Sequence, residues 1–96
     1  MNRLAGEEAE EVLGSRGRIK LLKALMAAQK GGRAVTVSKL KATTHLKGRN
    51  VERHIEILIR RGWVEEVQTP EGRRYRLKAD GKVEALKKLF RELGYA

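Results

Sequence analysis

The chain has 96 residues, 41% apolar and 35% charged, with a single proline, which fits one ordered domain and excludes a multidomain enzyme or a large lidded cleft. Twenty-two Lys and Arg against 12 Asp and Glu leave a net charge of +10, so nucleic acid is the first partner class and an anionic membrane surface the second. Cysteine is absent, which excludes disulfide scaffolds, thiolate zinc sites and thiol redox chemistry.

The charge is uneven. Residues 1–14 hold one base, Arg3, and four acids, Glu7, Glu8, Glu10 and Glu11, a sum of −3 that leaves +13 for the remainder. No apolar run approaches a membrane span, and the opening MNRLAGEEAEE has no apolar signal core. The expectation is a soluble, cytoplasmic, nucleoid-associated protein that does not enter membranes.

Residues 7–13 suit a short helix, broken by Gly14. Ser15 then caps a helix whose apolar stripe is Ile19, Leu22 and Met26, with Leu25 beside it. Gly31-Gly32 ends it, because glycine accepts the left-handed cap. Residues 33–37 suit a short strand. Thr36 or Ser38 caps a second helix that ends near Thr44, with Val37 and Leu40 inward. Residues 45–48 read as a tight turn.

The third helix runs from about Arg49 to Arg61, with Val51, Ile55 and Leu58 inward and Ile57 and Ile59 widening the stripe. Gly62 stops it. The period then changes. Residues 63–68 and 73–78 are β-rich and flank Thr69-Pro70-Glu71-Gly72, a hairpin with a four-residue tip. Tyr75 and Leu77 share one face of the second strand, and Arg74 and Arg76 the other. Helix resumes at Ala79, with a stripe of Val83, Leu86, Phe90 and Leu93, and Gly94 closes it.

Two short helices joined by a tight turn and followed by a basic hairpin describe a winged helix-turn-helix. The class is mainly α with a small β-hairpin wing: a three-helix core, the wing and a C-terminal helix. From Leu13 to Lys78, about two-thirds of the chain, the sequence resembles the winged-helix domain of archaeal and bacterial transcription regulators of ArsR and MarR type. Leu13-Gly14-Ser15-Arg16 with Arg18-Ile19 resembles that family's first-helix opening. Thr36-Val37-Ser38-Lys39-Leu40 resembles the start of its second helix. Asn50-Val51-Glu52-Arg53-His54-Ile55 resembles its T-V-S-R-H-L segment. Leu58 with Arg61-Gly62-Trp63-Val64-Glu65 resembles its L-x-x-x-G-L-V-E, and Tyr75-Arg76-Leu77 its returning wing strand. Three positions depart from the pattern. Lys41 stands where a small residue is usual, Thr44 replaces an apolar residue, and His45 stands where the turn has glycine. The chain then divides into an acidic segment at 1–14, the winged domain at 15–78 and a C-terminal helix at 79–96.

The resemblance implies double-stranded DNA as partner, with the third helix in the major groove. Its outward N-terminal residues are Lys47, Arg49, Asn50 and Arg53. Arg pairs with guanine and Asn with adenine through two bonds each; the plainer reading is a solvated helix face. Arg73, Arg74 and Arg76 would lay the wing on phosphate or in the minor groove, or simply block edge-to-edge pairing. Lys39, Lys41 and His45 are backbone contacts, and Arg16 and Arg18 are candidates for the same role. Val83, Leu86, Phe90 and Leu93 read as a homodimer face, because flanking helices pair subunits in the resembled family. The acidic segment joins that face or shields the basic one.

His54 lies beside the inward stripe and reads as a half-buried core histidine. With His45 it makes no metal site, and no cofactor is expected. Trp63 reads as core, with base stacking as the alternative. Neither GxxxxGK nor HExxH occurs, so no enzyme is expected. Three functions remain open: a sequence-specific DNA-binding regulator, a non-specific DNA or RNA binder of chromatin or ribosome, and a protein-interaction module.

Overall fold

The computed structural model describes residues 3–29 and 33–94. Helices α1 (Arg3–Leu13), α2 (Arg16–Gln29), α3 (Val37–Thr44) and α4 (Gly48–Arg60) precede strands β1 (Val64–Thr69) and β2 (Gly72–Leu77), and α5 (Gly81–Glu92) follows. The two strands form one antiparallel hairpin, in register from Val64 opposite Leu77 to Thr69 opposite Gly72.

The centre of the fold is α2. Leu21, Leu22, Leu25 and Met26 are all buried, and α1, α3, α4 and β2 pack around it. Ser15 Oγ accepts the Arg18 amide at 3.3 Å, as its capping role requires. The proposed Gly31-Gly32 stop lies outside the described residues. Thr36, not Ser38, caps α3: its Oγ1 accepts the Lys39 amide at 3.1 Å. Val51, Ile55 and Leu58 of α4 are fully inward, each burial worth about 1.5–3 kcal/mol. Ile59 is 37% exposed, so it does not widen the stripe.

Several boundaries differ from the expectation. α1 begins at Arg3, and Val12 is buried in the core, so this segment packs as part of the domain. The strand at 33–37 reduces to one bridge, in which Val35 and Tyr75 exchange backbone bonds of 2.8 and 2.7 Å. The hairpin tip is two residues, Pro70-Glu71, because Thr69 and Gly72 still pair. Gly72 adopts φ 126°, and Thr69 Oγ1 donates to its carbonyl at 2.8 Å. Ala79 is not helical. Asp80 caps α5, accepting the Lys82 amide at 2.8 Å.

The α5 stripe also needs correction. Val83, Leu86 and Phe90 are 0–4% exposed within the single chain. They fill its own core and have no surface left for a second copy. Of the four residues assigned to a dimer face, only Leu93 is exposed, and Leu89 is its other exposed apolar neighbour on α5.

Candidate nucleic-acid interface

The three departures in the helix-turn-helix each have a structural answer. His45 takes φ 62°, the left-handed conformation that glycine would otherwise supply, and its amide donates to the Lys41 carbonyl. Thr44 is buried, but its hydroxyl donates to the Leu40 carbonyl at 2.7 Å and accepts the Leu46 amide at 3.3 Å. A buried polar group so satisfied costs little. Lys41 lies across the start of α4: a Cβ at Gly48 would come within 3.2–3.3 Å of its side chain. The long side chain is accommodated because position 48 has none.

This turn delivers the N-terminal half of α4 to solvent. Lys47, Arg49, Asn50 and Arg53 are all exposed, and no hydrogen bond or ion pair engages their side chains among the described residues. Lys47 is the N-cap residue but makes no side-chain cap bond, and the first turn holds no acid. The free amides and the positive end of the helix dipole add to the side-chain charge.

The C-terminal half of α4 is different. Arg61 Nε donates to Glu11 Oε1 at 2.6 Å, and Arg60 lies 3.4 Å from Glu11 Oε2. Lys82 Nζ donates to Glu8 Oε1 at 2.6 Å and to the Arg61 carbonyl at 2.7 Å. It also stands 5.2 Å from the centroid of Trp63, whose indole donates to the same Glu8 oxygen at 3.0 Å. Trp63 is 7% exposed, which removes base stacking as its role. The Lys82 ammonium holds the Glu8 carboxyl below the usual carboxylate range, and Arg61 does the same for Glu11. The acids of α1 therefore meet the far end of α4, away from Lys47–Arg53.

His54 sits between these halves. Arg18 Nη1 lies 3.1 Å from its Nδ1. Arginine only donates, so Nδ1 carries the lone pair and the ring proton is on Nε2. Gly17 makes room for this ring: a Cβ there would lie 2.6 Å from Nε2. Burial first, then Arg18 and Arg53, pushes the His54 pKa down. Arg18 also donates to the Glu11 carbonyl at 2.6 Å, so it is occupied within the fold and is not the phosphate contact expected of it. Arg16 remains exposed.

The wing arginines divide by face. Arg76 is opposite Glu65 and bonds it at 2.6 Å. Arg73, two-thirds exposed, reaches Glu66 only at 3.8 Å. Arg74 is half-buried, and its Nε is buried without a hydrogen-bond partner. Exposed pairs of this kind contribute little, about 0–1 kcal/mol. Between the wing and α4 lies a groove of about 590 Å³ lined by Thr36, Ser38, Glu52, Glu56, Glu66 and Arg73, among others. Its glutamates were not singled out in the sequence, although Glu52 is three residues beyond Arg49 and must share its side of the helix. Lys39 and His45 are exposed on the other flank of α3, in shallow clefts shared with alanines of α2.

No family model and no curated protein matches the chain. Solved structures do. HlyU from Vibrio cholerae N16961 superposes with a TM-score of 0.73 at 21% identity, over 97% of each chain. Rv0081 from M. tuberculosis gives 0.72 at 22% identity, covering 97% of this chain and 90% of that one. The homodimeric winged helix-turn-helix DNA-binding domain Mb0332 of Mycobacterium bovis, a possible ArsR-family transcriptional regulator, gives 0.69 at 21%, over 98% and 86%. The chain is a winged helix-turn-helix. In that fold, α3 and α4 are the helix-turn-helix pair and β1-β2 is the wing.

Proposed function

We propose that this winged helix-turn-helix chain is a DNA-binding transcription regulator that places α4 in the major groove and the wing on the backbone. The observation that carries this is the unpaired arc of Lys47, Arg49, Asn50 and Arg53 at an uncapped helix N-terminus. Arg49 and Arg53 are one helical turn apart and can meet guanine edges, and Asn50 can meet adenine. Arg73 and Arg74 on the wing, with Lys39, Lys41 and His45 beside the turn, are phosphate contacts that set register. The homodimeric neighbour supports two copies on a two-fold site, with half-sites about one helical turn apart. Leu89 on α5 and Leu93 at its C-cap are the large apolar side chains left exposed for that contact. The role is binding, not catalysis, and its place is the cytoplasm with the DNA.

A second reading is a non-specific duplex binder, favoured by exposed cations on α2 and α3 such as Arg16, Lys20 and Lys39. Fluorescence-anisotropy titrations with random duplex, selected genomic duplex and structured RNA, each across a salt series, separate the two. A duplex bound about 10³-fold or more above random sequence establishes the regulator. Equal binding of all duplexes with a steep salt slope establishes the non-specific binder.

A further inference from the structure

The exposed arc of α4 is not purely cationic. Glu52 lies three residues after Arg49, about 60° round the helix from it, and one residue before Arg53. It is exposed, and neither arginine neutralises it: no hydrogen bond or ion pair engages the Glu52 side chain among the described residues. Glu8, Glu11, Glu65, Glu66 and Glu84 hold a cation; of the acids without a side-chain partner among the described residues, Glu52 is the one in the N-terminal half of α4. A free carboxylate in this place works against binding to a polyanion, because it repels phosphate and sheds solvent when the groove closes on it. It is compensated only if a donor meets it.

An ionised carboxylate only accepts hydrogen bonds. In the major groove guanine offers acceptors and thymine an acceptor and a methyl group. The donors are the exocyclic amines of cytosine and adenine. Adenine carries the N7 acceptor beside its amine, which would face the second carboxylate oxygen. Cytosine carries no acceptor there. From this we infer that Glu52 is a specificity-determining residue that selects cytosine at one position of each half-site. Glu52 and Glu56 both line the groove toward the wing, and Glu56 is a turn further along α4. Base edges are met from the N-terminal half of such a helix, so the role falls to Glu52.

This inference rests on the sequence-specific reading above, and the experiment separates the two. The full chain and its Glu52→Gln and Glu52→Ala variants each select from a library of random duplexes. The wild type is expected to enrich a motif with one cytosine column per half-site, and replacing that cytosine should weaken binding about tenfold or more. Glu52→Gln should turn that column to adenine, since an amide pairs with N6 and N7 together, and leave the other columns alone. Glu52→Ala should flatten the column and bind random duplex more tightly than wild type. Because the side chain is exposed and unpaired, both variants should unfold at the wild-type temperature. A wild-type motif whose columns are all unchanged in Glu52→Gln overturns this inference and leaves the regulator standing. No enriched motif in the wild type overturns both.

Discussion

The two ends of α4 carry the same kinds of residue and use them in opposite ways. At the C-terminal end, Arg60 and Arg61 are held by Glu11, and Lys82 by Glu8, the Trp63 indole sharing that carboxylate. At the N-terminal end, Lys47, Arg49 and Arg53 are held by nothing among the described residues. Net charge alone does not separate these groups. Pairing does: satisfied cations fasten α1 and α5 to the core, while unsatisfied ones form the surface proposed for an anionic partner. Two acids of α1, Glu8 and Glu11, make the difference.

That contrast can be broken at either end. The largest expected effect is at the paired end. Trp63→Ala removes a buried indole, its bond to Glu8 and the ring under Lys82, and should lower stability by about 3–5 kcal/mol in thermal or urea unfolding. A loss below 1 kcal/mol would mean the cluster is ornamental. Next is the wing. Arg73→Ala with Arg74→Ala should weaken every duplex alike and reduce the salt slope by about two. An unchanged slope would remove the wing from the interface.

Smaller effects test the seam between the two ends. Alanine normally stabilises a helix interior over glycine by roughly 0.5–1 kcal/mol. At position 17 its Cβ would meet the His54 ring at 2.6 Å, so Gly17→Ala should destabilise by about 1–3 kcal/mol instead. A gain in melting temperature would show that the ring moves freely. The smallest effect is in pH. The His54 pKa is lowered in the fold, chiefly by burial, so the unfolded chain takes up the proton more readily. Its contribution is therefore complete above the ordinary histidine value of about 6.5 and is lost as pH falls through the folded value. An NMR titration of the ring should give a midpoint below that of an ordinary histidine. A midpoint above it would contradict the buried, Arg18-bonded geometry.

Much of the fold is legible in the sequence because it is written in local periods. Val51, Ile55 and Leu58 at helical spacing place α4, and Gly62, at φ 78°, ends it as its lack of a side chain suggests. Tyr75 and Leu77 give the inner face of β2. What local period leaves open is which neighbour covers a stripe. Val83, Leu86 and Phe90 read equally well as a dimer face or as core, and in a chain with so small a core they fill it. The ties of Glu8 to Lys82 and of Glu11 to Arg61 span 74 and 50 residues, which no spacing rule reaches. For the candidate site, the cations of α4 are legible as an outward set, whereas no local rule shows that the Arg18 side chain is spent on His54 and Glu11 while that of Arg53 has no partner among the described residues.

The most direct test of this contrast is a paired one on a single helix. Duplex affinity across a salt series and melting temperature are measured for Arg53→Ala and Arg61→Ala. Arg53→Ala should cost about 1–3 kcal/mol on the preferred site and leave the melting temperature unchanged. Arg61→Ala should lower the melting temperature and leave duplex affinity unchanged. Equal losses of affinity from both would contradict the account, because paired and unpaired cations would then serve the partner alike.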